Sequence, residues 1–329
     1  MEHIVPSASV PHESYRGPLN QPVQREREGG VGNELPLRQR KGAAMECIRF
    51  SPEEIERWSA LIGHSPETSE LRARLNPGEW EALYAAFHFA LEEDFEEMTD
   101  ALHEDGPALE RMKHDPVLLS LIKRLYEHGV ACGDAGSCCN LANLYHDTSN
   151  SGSLEDYATA IELYELGKER GDGQSAINLG YIFYYGRGVE RDYHRAYECF
   201  AFGAMMCDNP EGYWKLGDLY ASGRGVHKSD YAAWTMYLRA HACANGSPLA
   251  ARAAHHLADY LLSGIEGHVE PDPEAALRLY IEAETGYYTL IDDGLTYYGR
   301  QLEQAIDGQV AARTALQELH RRIREGVAE

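Results

Sequence analysis

No stretch of this 329-residue sequence approaches the ~18 to 20 uninterrupted apolar residues of a membrane-spanning helix, and its first residues lack the apolar core of a signal peptide. A cytoplasmic protein is the expectation. Positive charge is also scarce, with 30 Lys and Arg against 53 Asp and Glu and a net charge of −23. Nucleic acid and anionic membranes repel such a chain, whereas a basic partner protein does not. The seven cysteines contain no Cys-x-x-Cys pair, and the 15 histidines contain neither His-x-x-x-His nor His-Glu-x-x-His. Those absences argue against a zinc site and a thioredoxin-like redox site. His255 and His256 are adjacent and so point in different directions on a helix. Strand-like alternation is missing over any useful length, which makes the expected fold all-α. No metal, cofactor or catalytic residue is expected.

What is present is a pattern that returns after 37 residues: Leu179-Gly180-x-x-Phe183-x-x-Gly186-Arg187-Gly188-Val189, then Leu216-Gly217-x-x-Tyr220-x-x-Gly223-Arg224-Gly225-Val226. A fixed period of this size marks stacked helical repeats, whose units bury their apolar faces only against neighbours. The Gly-Arg-Gly segments follow no strand and lack the phosphate-loop spacing, so they read as turns that need positive φ.

Residues 1–44 cluster Pro, Gly, Gln and mixed charge and read as a disordered extension, with Met45 as an expected natural start. The remainder then carries about −24, because residues 1–44 hold six basic and five acidic side chains. Residues 45–135 read as a helical N-terminal region. Ser51-Pro52-Glu53-Glu54 and Asn76-Pro77-Gly78-Glu79 each carry a helix-start arrangement. The second opens a long helix that ends in an acidic run, Glu92 to Asp105, and is stopped by Gly106-Pro107. Residues 136–288 hold about four repeats, and 289–329 form capping helices, expected as a pair from about Leu290 to Ile323.

Each repeat reads as two helices. In the first, residues at i, i+3, i+4 and i+7 share a face: Cys138, Leu141, Ala142, Tyr145; Ala176, Leu179, Gly180, Phe183; Tyr213, Leu216, Gly217, Tyr220; Ala254, Leu257, Ala258, Leu261. In the second the register is Ala160, Tyr164, Gly167; Ala196, Phe200, Gly203; Ala233, Tyr237, Ala240; Ala276, Tyr280, Ala283. Small residues let backbones approach while a ring fills the gap between them.

These residues resemble the Sel1-like repeat, a relative of the tetratricopeptide repeat, with the fullest match from Ala176 to Gly203. The unit from Tyr213 to Ala240 matches nearly as well; Ser137 to Gly171 lacks the Gly-x-Gly-Val turn, and Ala254 to Ala283 replaces it with Gly264-Ile265-Glu266-Gly267-His268-Val269. The resemblance implies an α/α superhelix, a solenoid with helical N-terminal and C-terminal caps, and a protein-binding role. Stacked as in the tetratricopeptide relatives, the first helices would line a concave face. The partner-binding residues expected there are Asn143, His146, Ile177, Tyr181, Tyr184, Trp214, Asp218, His255 and Asp259. The function expected is a non-catalytic adaptor that binds another protein. The alternatives are an immunity-type inhibitor of a basic toxin and an enzyme with a site between residues 51–130 and the repeats.

Overall fold

The computed structural model describes residues 47–62, 74–104, 106–148 and 154–326. The extension 1–44 and the Met45 start lie outside the described residues. Among those described, fourteen α-helices and two short 3₁₀ turns account for the regular structure, and the β-type pairing is an isolated Ile265–Val269 bridge. The fold is an all-α helical-repeat solenoid. It divides into two compact units at Lys228/Ser229, described separately.

The first unit opens with α1 (Pro52–Ile62), α2 (Pro77–Leu91), α3 (Phe95–His103), α4 (Gly106–Lys113) and α5 (Pro116–Cys132). Ser51 and Glu54 cap α1 reciprocally, and Asn76 with Glu79 does the same for α2, satisfying amides that no preceding turn can reach. Their apolar faces meet around Trp58, Phe87 and Phe50, with Trp58 stacked on Phe87 at 5.4 Å and Phe50 on His128 at 4.2 Å. His128 is buried there in one tautomer. The Phe50 amide donates to its Nδ1 at 3.0 Å, so Nε2 carries the proton and donates to the Ala90 carbonyl at 3.2 Å.

The long helix expected from Asn76 to the acidic run is broken. Glu93 adopts φ 58°, and Asp94 caps a new helix by accepting from the Glu97 amide. A crowd of carboxylates is poorly held in one continuous helix, and an aspartate that can cap offers the backbone an alternative. The break turns Phe95 toward His128, the rings 5.9 Å apart. Gly106-Pro107 likewise begins α4 instead of only ending a helix.

Then come α6 (Ala135–Thr148), α7 (Leu154–Glu169), α8 (Gly173–Tyr185), α9 (Tyr193–Cys207) and α10 (Pro210–Ser222). The two registers read from the sequence are the core. Leu141, Leu179 and Leu216 are buried, as are Ala160, Tyr164, Ala196 and Phe200. Gly180 has no side chain because the Phe200 ring occupies the place; a Cβ there would lie 2.6 Å from the ring. Gly186 and Gly223 end α8 and α10 at φ 71° and 68°, and a Cβ on Gly188 would overlap Tyr157. The Gly-Arg-Gly segments are therefore tight turns packed on the preceding repeat.

The second unit holds α11 (Asp230–Ala244), α12 (Ala251–Ser263), α13 (Pro273–Asp292) and α14 (Gly299–Glu325). Its two clusters bury Ala254, Ala283, Tyr287 and Leu290, and Ala258, Ala276 and Tyr280. Gly308 of α14 lets the Tyr280 ring close against the helix. In place of the expected final pair there is one helix of 27 residues. The Arg321-Arg322 end does not cover the stack, because Ala312 is the last buried residue of α14. Beyond it the helix is held by its own Glu318–Arg321, Glu318–Arg322 and Arg321–Glu325 pairs.

Candidate functional site

In the first unit the expected stripe becomes a cluster of rings around a buried lysine. Trp214 and Lys215 are consecutive on α10, and Lys215 is only 4% exposed. Its Nζ lies 4.3 Å from the Trp214 ring centroid, 5.0 Å from Tyr184 and 5.2 Å from Tyr181, and 3.5 Å from Asp218 Oδ2. An ammonium so far from water is tolerated because ring faces and a carboxylate replace its hydration. Tyr181 reaches across to donate to Glu211 Oε1 at 2.6 Å. Arg224, from the middle of the second Gly-Arg-Gly turn, donates to the Tyr184 hydroxyl at 2.7 Å. Tyr184 packs on Tyr185 and Tyr193, and Tyr185 is 41% exposed.

One repeat earlier the same turn position is used again. Arg187 donates to His146 Nε2 at 3.4 Å and lies 5.1 Å over Tyr185. The patch thus carries Arg187, Lys215 and Arg224 on a strongly acidic chain. Large rings with a few fixed charges supply contact area at low entropy cost, the composition that dominates protein recognition.

The structure brings Tyr181, Tyr184, Trp214 and Asp218 together. It does not present Ile177, which is fully buried; Gly203 of α9 leaves the space its side chain fills. Asn143 faces inward as well, accepting from the Tyr164 hydroxyl at 2.6 Å and from Asn178 at 3.0 Å. Trp214 and Tyr181 show only their edges, both under a tenth exposed. Sequence reasoning missed Lys215, Arg187 and Arg224. The two arginines had a signal, since each stands at the centre of a turn that recurs at the repeat period. Lys215 had none.

His255 and Asp259 lie on α12 in the second unit. His255 is buried, 3.3 Å from the Tyr287 hydroxyl through Nδ1, and burial pushes it below the ordinary histidine range. Asp259 accepts from the Tyr280 hydroxyl at 2.6 Å, with His256 Nδ1 3.8 Å from its second oxygen. Asn143–Tyr164 and Asp259–Tyr280 are the same contact in two repeats. In each, a polar residue two positions after the leucine accepts from the ring of the second helix.

A different surface carries the acidic run. Glu92, Glu93, Asp94, Glu96, Glu97, Asp100 and Glu104 are exposed, and Glu93 pairs with Arg49 at 2.8 Å. Among the described residues, no group of three or more His, Cys, Asp or Glu side chains is placed to hold a metal ion, and no helix is long and apolar enough to cross a membrane.

The chain has relatives. Over 72 residues it is 33% identical to the ERAD-associated E3 ubiquitin-protein ligase component HRD3B of Arabidopsis thaliana, a match over 22% of this chain and only 12% of that protein's length. Among solved structures it is similar to a Sel1 repeat protein from Oxalobacter formigenes, at 21% identity and TM-score 0.44 over 71% of this chain and 99% of that one. It is also similar to a protective antigen of uropathogenic Escherichia coli that displays the SLR fold, at 19% identity and TM-score 0.45 over 77% and 57%. The Sel1 repeat model matches residues 135–172, 173–206, 210–240 and 251–285. Each segment begins at the first helix of a pair described above and runs into or through the second, and the chain between residues 135 and 285 is a run of four Sel1 repeats.

Proposed function

We propose that this protein is a non-catalytic adaptor that holds a partner protein against the ring cluster of α8–α10. The observation that carries the reading is the patch itself, in which Tyr181, Tyr184, Tyr185 and Trp214 stand around Lys215 with Arg224 at the rim. The relative HRD3B is by its name a component of a larger assembly, a role this reading shares. Buried thiols at Cys138, Cys139 and Cys199 fit a reducing cytoplasm as the site of action.

The test compares affinity capture by the full chain with capture by a Tyr184→Ala, Tyr185→Ala, Arg224→Ala variant. Tyr185 and Arg224 are exposed and Tyr184 is half-buried, so the variant is used only at a temperature where its helical signal matches that of the full chain. Loss of the dominant partner is the expected result; equal recovery from both baits sinks the reading.

A second reading, an immunity-type inhibitor of a basic toxin, draws on the exposed run from Glu92 to Glu104. Its mark is steep salt dependence of the complex, and binding insensitive to salt would remove it.

A further inference from the structure

The second unit contains a cavity of about 460 Å³ between α12, α13 and α14 whose walls include Arg252, His255, Asp259, Tyr280 and Gln301. Gln301 Oε1 is buried and accepts no hydrogen bond. A buried acceptor without a donor is unfavourable, and although Oε1 is closed to solvent where it lies, a turn of the Gln301 side chain brings it to a ligand's N–H in the cavity that the residue lines. Asp259 works in the same direction. Its side chain is half exposed; partial desolvation acts against its ionised form, yet the nearby His256 imidazole and the hydrogen bond from Tyr280 hold its carboxyl below the ordinary aspartate range, so it is charged at neutral pH. Asp307 adds a carboxylate to the lining, Arg252 one opposing charge, and His255 none at neutral pH.

The third repeat shows what this arrangement holds when the chain supplies the cation itself. Counted from Leu216, Lys215 is one residue before and Asp218 two after, with the ammonium 3.5 Å from the carboxylate and Trp214 beneath it. Counted from Leu257, the same places hold His256, Asp259 and, for Trp214, His255. The fourth repeat keeps the carboxylate and a flat ring and has no lysine.

We propose that the α12–α14 cavity binds a guanidinium group, which donates to Asp259 and Gln301 Oε1 and lies against the rings of His255 and Tyr280. A guanidinium suits it better than an ammonium because the acceptors sit on two different helices, and only the planar group offers five donors in a fixed fork. The source is an arginine side chain of a partner protein or a free arginine-like molecule. The inference leans on the protein-binding reading only for the first of these. The Tyr184→Ala, Tyr185→Ala, Arg224→Ala variant must leave it unchanged, so the two can fail separately.

The experiment is isothermal titration of the full chain with acetyl-Gly-Arg-Gly-amide, with free arginine, and with the same peptide carrying citrulline, the neutral isostere. The arginine probe should bind at least tenfold more tightly than citrulline. Binding of the peptide alone assigns a partner's arginine, and equal binding of free arginine assigns a small molecule. Asp259→Asn, which keeps an acceptor for Tyr280, should weaken binding at least tenfold. His256→Lys, which gives the fourth repeat the lysine of the third, should do the same. No saturable binding, equal binding of citrulline, or full affinity in His256→Lys overturns the proposal. Should Asp259→Asn fail to fold, His256→Lys decides alone.

Discussion

In the third repeat Gly223 ends the first helix at φ 68° and Arg224 leaves the turn to reach a tyrosine hydroxyl; in the fourth, Gly264 ends it at φ 74° and a longer loop closes on itself through the Ile265–Val269 pair. The residues that pack the helices hardly differ. Leu216 and Leu257, Ala233 and Ala276, Tyr237 and Tyr280 are all buried to about the same depth. Beside this common frame one repeat sets a lysine among rings and the other sets a histidine beside a cavity. Helix backbones in close approach tolerate only small residues and a fitted ring, so the frame is fixed while positions flanking the leucine can change chemistry.

The strongest way to break the comparison is to remove the ring on which the frame depends. Tyr280→Ala and Tyr237→Ala should each cost about 3–5 kcal/mol, read from urea unfolding; a loss under about 1 kcal/mol in one of them would show that the frames are not equivalent. Next comes the cation. Lys215→Met should cost about 2 kcal/mol, because it strips a desolvated ammonium from its rings and leaves Asp218 without its close partner. His256→Met should cost no more than about 1 kcal/mol, the value of the ring contact with Tyr237. Equal losses would mean that Lys215 acts only by packing.

Acid should also separate the two repeats, since Trp214 has no proton to gain and His255 has. Burial holds His255 below its ordinary 6.5, so the folded state resists the proton that the unfolded chain accepts. Its contribution is complete above pH 6.5 and is lost as the pH falls below it. Stability should therefore drop between pH 7.5 and 5.5, by less than about 1.4 kcal/mol per pH unit from this group, and His255→Gln should flatten the slope. The smallest effect tests the frame again. Ser229 caps α11 and Asp272 caps α13 with hydrogen bonds of 2.9–3.1 Å, so Ser229→Ala and Asp272→Ala should each cost about 1 kcal/mol, with matching shifts in melting temperature.

The frame was legible because its signal is local. Ala, Leu and Gly at helical spacing, a ring one helix later and a glycine turn at a constant period leave few other folds. The candidate site was legible only in part. Tyr184 and Asp218 could be placed by counting from a leucine, but Ile177 could not. A helix covered by neighbours buries a wider face than one stripe, and the space for Ile177 is set by Gly203 on another helix. Lys215 escaped for the converse reason, since a lysine beside a tryptophan reads as a solvated residue until three rings from two helices close over it. The break at Glu93 depends on Phe95 finding His128, a contact no periodicity records.

Ala312 is the last fully buried residue of α14 and Glu318 the last half-buried one, yet the helix continues to Glu325. A single rod therefore keeps two clocks. Amide hydrogens before Ala312 must wait for the second unit to open before they exchange with solvent. Those after Glu318 are released by fraying of a lone helix end on a timescale of about 0.1–1 μs, at a rate that added salt should quicken by weakening the Glu318–Arg321 and Arg321–Glu325 pairs.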